Sequence, residues 1–335
     1  MEKRSIFHSP WPYLIAWFVL NAVQSLTTGL AHDEAYYWMY STDLAWGYFD
    51  HPPMTALVIH FGTLLFEGGV GVRFGIILLS TATLWLLWDI VRPRRTALFF
   101  FIIGGISVLH IGGFFAAPDI PLVFFTALFY WLARPYLDRK NHWLSLGLVL
   151  VLAGMAYSKY LGAIPLFFAL LAVPTIMKRR SFWIIVIGAS ILFAPHMIWQ
   201  YTHDFPTFRF HLYDRMAAPW EWTLPLNYIG GQLLVFGPLL GFALFPAAWK
   251  KISYSSYDRM MHFSLWGMLL FFLLMSFRGR VEPNWSAPAI VPLIYLSYRF
   301  LEPRKNWRKV VLWLSAVSWI LILGFRVWMG WPVEP

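Results

Sequence analysis

Cysteine is absent from the 335 residues, which excludes a disulfide framework and any Cys-based metal site and leaves the redox compartment undetermined. Charge is scarce too, at 13% of residues, beside 59% hydrophobic and 20% aromatic residues and a mean hydropathy of +0.59. No water-soluble globular domain has that composition. Also missing are internal repeats, a Gly/Ser linker, a low-complexity tract and any interval between apolar runs long enough for a soluble domain of ~50 residues. The chain therefore reads as an all-α integral membrane protein, with residues 1–335 forming a single transmembrane domain and no separate soluble one. A formal charge of +10 would suggest nucleic acid in a soluble protein; here its distribution along the chain reports membrane orientation instead.

A helix crosses ~30 Å of hydrocarbon with ~20 residues. Apolar stretches of about that length occupy residues 12–30, 71–91, 97–115, 119–137, 142–158, 160–177, 181–200, 226–248, 259–277, 285–301 and 308–326, which predicts about eleven spans. A twelfth run, "MTALVIHFGTLLF" at 54–66, is short and contains His60. It reads as an interfacial or re-entrant helix. With the N-terminus inside, that choice puts 19 of the 26 Lys and Arg on one side, as the positive-inside rule expects. Eleven of the 16 Asp and Glu fall on the other. The first segment is either an uncleaved anchor or a signal peptide ending near Ala31. The polar "NAVQSLTTG" half suits an anchor buried among helices, and both versions place His32 onward outside.

Residues 31–70 and 201–225 are then the long outer loops. The first opens with "AHDEAYYWMYSTDLAWGYFDHPP", which carries Asp33, Glu34, Asp43 and Asp50. In "DEAYYWMY" the i, i+4 spacing pairs Asp33 with Tyr37 and Glu34 with Trp38 on a short helix. Acids at a helix start also serve as caps. A cap alone leaves unexplained Asp50, held in "FDHPP" by two prolines that fix the backbone. Asp119, in "FFAAPDIPLVFF", lies between apolar runs on the same predicted side, where an ionisable residue marks a cavity or a partner. Lys159 interrupts "AYSKYLGAIP", and Arg278 and Arg280 follow a span in "FRGRVEPNW". Each singly reads as a snorkelling cation. Together with Arg209 and Arg215 they are candidates to hold a phosphate, Arg by its fork and Lys as a point charge. Pro283 and Asn284 read only as a cap for the following helix.

The ordered set "DEAYYW", "FDHPPM", "GVRFG", "APDIPLVFF" and "GMAYSKYLGAI", over roughly residues 12–180, resembles the polytopic GT-C glycosyltransferases. The likeness is nearest to the dolichyl-phosphate-mannose protein mannosyltransferases and the bacterial transferase that adds aminoarabinose to lipid A. The resemblance implies a polyprenyl-phosphate sugar donor, an active site on the outer (periplasmic or extracellular) face of a bacterial inner membrane, and a lipid, glycan or protein acceptor. Carried over by motif, Asp33 is the expected base or acceptor-positioning acid, with Glu34 beside it and Asp119 at the start of the fourth span. Lys159 is the expected donor-phosphate ligand. Asp50 stands where the family has an acid before Pro-Pro, and His51 replaces the Lys that some relatives carry. Some members hold a divalent ion near the first loop, for which Asp50, His51, His203 and His211 are the candidate donors here; no other cofactor is implied. The chain departs from many relatives by ending near residue 335 without a C-terminal soluble domain, which leaves the acceptor open.

The chemistry such a site needs is displacement at an anomeric carbon: one group takes the acceptor's proton while cations stabilise the departing phosphate, with inversion of configuration. A transporter or flippase of a lipid-linked or anionic substrate is the alternative reading, with Lys159 and Asp119 as a coupling pair. It fits less well, because the acids gather on one face and no inverted repeat is visible.

Overall fold

The computed structural model describes residues 9–138, 141–211, 221–250 and 255–330, and every regular element among them is helical. Helix α1 (Trp11–Thr27) starts on Pro10 and Pro12, where a missing N–H costs nothing. It turns through 93° into α2 (His32–Thr42), the expected first-loop helix. Next comes α3 (Met54–Thr63), the short helix expected in the 54–66 run, packed on α4 (Gly68–Val91). The order continues with α5 (Thr96–Ile103), α6 (Ser107–Ile111), α7 (Asp119–Asp138), α8 (His142–Ser158), α9 (Ala163–Ala172), α10 (Arg180–Thr202) and α11 (Pro206–Arg209). It closes with α12 (Thr223–Val235), α13 (Gly241–Trp249), α14 (Ser256–Ser276), α15 (Ile290–Leu301) and α16 (Lys305–Gly330).

Five of these, α4, α7, α10, α14 and α16, are long and apolar enough to cross a membrane, or six if the bent pair α1 and α2 makes one crossing. Eleven uninterrupted spans are therefore corrected to five or six among the described residues. All eleven apolar stretches are helical, but the stretches at 12–30 and 142–158 carry helices of 17 residues, and four others are interrupted. Residues 97–115 break at Gly104-Gly105, 160–177 at Val173-Pro174, 226–248 at Phe236 to Leu240, and 285–301 begins as a 3-10 turn, Pro283–Ala289. The first and third breaks meet. Gly237 has φ +110°, and a Cβ there would lie 2.9 Å from the Gly105 carbonyl oxygen, so glycine is required both for the backbone conformation and for the close approach.

The core centres on α15, in which 11 of 12 residues are buried, so it is enclosed on all faces. It packs on α13, α14 and α4, and α4 in turn packs on α7 and α1. At the periphery, α10 buries only Ile185, His196 and Gln200 of its 23 residues, and its apolar remainder suits a lipid-facing surface. The two long loops meet where Thr207 of the second donates to the Tyr48 carbonyl of the first. Residues 212–220 of the second loop, with Arg215, lie outside the described residues.

Candidate functional site

Asp119 begins α7, where the helix dipole favours a negative charge. Its Oδ1 accepts a hydrogen bond from Lys159 Nζ at 2.9 Å, and its Oδ2 accepts one from Asn284 Nδ2 at 2.8 Å. Lys159 ends α8 in an extended conformation, φ −167°, which stops the helix and aims the side chain at α7. Asn284 comes from the 3-10 turn before α15. Three segments distant in sequence thus converge on one carboxylate, with Asp119 and Lys159 7% and 8% exposed. A buried ion pair is stable only when its remaining sites are satisfied, and Asn284 supplies that for Asp119.

Glu34, the second acid of the first-loop pair, is fully buried. Its Oε1 accepts from Arg73 Nε at 2.8 Å and from the Ala116 amide at 3.0 Å. Its Oε2 accepts from Arg73 Nη2 and from the Ala31 amide. The rest of the Arg73 guanidinium is used on the carbonyls of Ser25, Thr28 and Gly29 at the end of α1. Glu34 has no free face toward a substrate; it locks α2 to α1, α4 and the strap that leads into Asp119. Asp33 is the opposite. It is exposed, and among the described residues its carboxylate has no hydrogen-bond partner.

Asp50 accepts from the hydroxyls of Tyr36 and Tyr40 at 3.1 and 3.3 Å and pairs with His51 Nδ1 at 3.3 Å. Burial opposes its ionisation, but His51 and Tyr36 outweigh that and hold the carboxyl below its ordinary range. Tyr37, one turn from Asp33, lies within electrostatic reach of Asp50, Asp119 and Asp33. Burial and those three charges push its phenol above the usual tyrosine range, so it remains a donor among three acids. Of the expected metal donors, Asp50, His51 and His211 lie near one another and His203 lies apart. His51 Nδ1 and His211 Nε2 are both engaged by the Asp50 carbonyl oxygen, while His203 is exposed and stacked on Trp199. Among the described residues no three His, Asp or Glu form a group that could hold a metal ion, so the donor set does not fit one.

Beside this cluster lies a cavity of about 330 Å³. One end is polar, with Asp50, His51, Lys159 and His211; the other is apolar, with Ile164, Phe271, Phe272, Met275 and Trp285. Asp119 reaches it through Lys159. Gly279 lines its rim between exposed Arg278 and Arg280, and Arg280 is paired with Glu282 at 2.9 Å. Arg209 is exposed at the end of α11. Of the expected phosphate cations, Lys159 alone among the described residues lines the cavity.

Sequence reasoning missed Asn284 and a second support. His196 Nδ1 donates to the Trp46 carbonyl at 2.6 Å, which leaves Nε2 to accept from the Tyr160 hydroxyl at 2.6 Å. Gln200 donates to Thr207, and Thr207 to the Tyr48 carbonyl. This network pins the first loop to α10, and Gly47 lets the two approach: a Cβ there would lie 2.4 Å from the Trp199 ring. The available signal was a His and a Gln, four residues apart, on one face of an otherwise apolar helix.

Residues 50–199 match the family model described as dolichyl-phosphate-mannose-protein mannosyltransferase. The chain is similar to the lipid A galacturonosyltransferase RgtD of Rhizobium johnstonii, with 28% identity over 290 residues, covering 77% of the chain and 58% of that protein. It is also similar to an uncharacterised Aquifex aeolicus protein, at 25% identity over 294 residues, covering 82% and 58%. The chain thus spans 58% of the length of these curated relatives. Its fold is that of ArnT from Cupriavidus metallidurans, with a TM-score of 0.68 to the apo structure and 0.67 to the one bound to undecaprenyl phosphate. Those likenesses cover 95% of this chain and 71% of that one, at 14% and 15% identity. The match across residues 50–199, the relatives that align over most of the chain and the shared fold agree: the chain is similar to the dolichyl-phosphate-mannose-protein mannosyltransferases and has the fold of ArnT.

Proposed function

We propose that the protein is a membrane glycosyltransferase that moves a sugar from a polyprenyl-phosphate donor to an acceptor at the outer face of the membrane. The observation that carries this reading is the two-ended cavity, with Lys159 at its polar end and an aromatic and aliphatic wall beyond. A polyprenyl phosphate has the same division: an anionic head and an apolar chain. The solved structure of ArnT bound to undecaprenyl phosphate supports the donor class, and the similarity to a lipid A galacturonosyltransferase makes a lipid acceptor the favoured case among lipid, glycan and protein.

In this mechanism the donor phosphate takes Lys159 as counter-ion and shares it with Asp119, whose position Asn284 fixes. Charge develops on the phosphate oxygen as the glycosidic bond breaks, and a cation preorganised in a site of low polarity stabilises that charge. The phosphate leaves without needing a proton. Asp33, whose carboxylate is not committed to the fold, takes the proton of the attacking acceptor hydroxyl, so the two carboxylates have different tasks: Asp119 positions and Asp33 deprotonates. An attack opposite to the leaving phosphate inverts the anomeric centre. Tyr37 donates to whichever acid faces the sugar. Arg278 and Arg280 at the rim attract the anionic head group during entry.

The test is transfer from labelled polyprenyl-phosphate sugars to a lipid-extract acceptor by the protein reconstituted in liposomes, comparing wild type with Asp33→Asn. Loss of transfer with retained donor binding is expected. Equal transfer by the folded variant would remove Asp33 from the mechanism.

A further inference from the structure

A third buried cation at the same end of the bundle is built differently from Arg73 and Lys159. Arg326, on α16, is 3% exposed. Its Nε donates to Gln24 Oε1 at 3.1 Å, its Nη2 to Asn21 Oδ1 at 2.8 Å and its Nη1 to His110 Nδ1 at 3.0 Å. Its guanidinium stands 5.2 Å from the centroid of the Phe114 ring, and Arg73 stands 5.3 Å from the same ring. The two arginines are otherwise opposites. Arg73 places its guanidinium on a carboxylate and three carbonyls. Arg326 meets only neutral groups, and among the described residues no carboxylate lies within 4 Å of it. His110 cannot offset the charge: its Nε2 donates to the Gly104 carbonyl at 2.6 Å, so Nδ1 must be the bare acceptor and the ring is neutral. An arginine has five N–H donors, and three of these are used here.

A cavity of about 160 Å³ adjoins this guanidinium, lined by Arg326, His110 and Ser107 with Ile111, Phe325 and Met329 among its apolar walls. Since a water claims about 30 Å³ of liquid, the space holds the equivalent of about five waters, enough for a phosphate group. None of these residues lines the cavity beside Lys159. Ile111 and Phe325 are each 47% exposed, so the mouth opens on apolar surface and not on a polar loop.

We propose that Arg326, with Ser107 beside it, forms a second anion site, separate from the reaction cavity, that takes the phosphate of an anionic membrane lipid. The ligand's phosphate supplies the negative charge that no described residue gives Arg326 and accepts its remaining N–H groups. The lipid's chains lie along the exposed apolar faces of α6 and α16. An aqueous phosphate ion shares the head-group chemistry but has no use for those faces.

Native mass spectrometry of the full chain in a phosphate-free detergent tests this with three probes: a phosphatidic acid, the diacylglycerol with the same chains, and inorganic phosphate. A charge-assisted hydrogen-bond set lost with its neutral analogue corresponds to about tenfold or more in affinity. Wild type is expected to prefer the phosphatidic acid over the diacylglycerol by that factor, and Arg326→Gln to lose the preference. Hydrogen exchange on the wild-type protein provides a readout that needs no variant. Phosphatidic acid should protect amides at 107–111 and 321–329, whereas occupancy of the Lys159 cavity would protect 159–164 instead. Arg326-dependent binding of inorganic phosphate as tight as that of the lipid would assign the site to a free ion and overturn the lipid assignment. Equal affinity for phosphatidic acid and diacylglycerol, or protection confined to 159–164, would overturn the site itself. None of these outcomes depends on sugar transfer.

Discussion

Replacing Asp33 and Glu34 by their amides, one at a time, separates two neighbouring acids in opposite settings: Glu34 is buried in an ion pair with Arg73, and Asp33, the proposed base, is exposed. Glu34→Gln removes the charge that Arg73 needs while both groups stay fully buried. The glutamine carbonyl replaces one carboxylate oxygen. Its amide NH₂ must face either Arg73 Nη2 and the Ala31 N–H or Arg73 Nε and the Ala116 N–H, donor against donor in both cases. Breaking a buried pair so that one charge stays uncompensated costs about 3–5 kcal/mol. The carbonyls of Thr28 and Gly29 remain on Arg73, at 2.7 and 2.8 Å, which places the expected loss toward the lower end, about 3 kcal/mol. Against a total stability of about 5–15 kcal/mol that is a large share. Asp33→Asn alters an exposed group outside any network, for which about 0.5 kcal/mol or less is expected. Denaturant unfolding in detergent micelles, read by the tryptophans, gives both values, and transfer assays on the folded fraction give activity. The expected result is a destabilised Glu34→Gln and an inactive but stable Asp33→Asn. A Glu34→Gln protein within about 1 kcal/mol of wild type would refute the assignment of Glu34 to the fold.

Other consequences follow from the same geometry. Asn284→Ala removes a hydrogen bond to the buried Asp119 carboxylate and should cost about 1.5–3 kcal/mol in unfolding experiments, and Asn284→Asp should cost more because it sets a second carboxylate against Asp119. Asp50 is held below the ordinary carboxylate range, so its contribution to stability is complete above that range and is lost as pH falls through the lower folded value. The drop in unfolding midpoint between about pH 6 and about pH 3 should be smaller in Asp50→Asn than in wild type. Gly47→Ala drives a methyl group into the Trp199 ring; the strain of about 1–3 kcal/mol should loosen the first loop and expose its amides to hydrogen exchange before the helices open.

Much of the site was legible because charges in an apolar sequence are few and each needs a reason. Asp119 at a helix start, Lys159 interrupting an apolar run, the short helix at "DEAYYWMY" and the non-spanning helix after Pro53 all appear in the structure as the sequence implies. Partner choice was not legible. Arg73 and Glu34 are 39 positions apart, and Asn284 and Asp119 165 apart, and hydropathy and local spacing carry no information about such pairs. For that reason the two adjacent acids Asp33 and Glu34 looked alike in sequence. The span count erred for a related reason. A hydropathy sum treats "FFFIIGGISVLHI" as one apolar run, whereas the backbone breaks at Gly104-Gly105 to meet the break at Gly237. Nor does anything local in the sequence reveal that Arg326 meets only neutral side chains among the described residues.

The central claim is that Lys159, at the polar end of the cavity, holds the donor phosphate. The most direct measurement is binding of a polyprenyl phosphate to detergent-purified wild type and Lys159→Gln, with the free polyprenol as the neutral control. A lysine point charge on phosphate accounts for at least about tenfold in affinity. Wild type should prefer the phosphate over the alcohol by that margin, and Lys159→Gln should bind both alike; a variant that keeps the full preference would contradict the account.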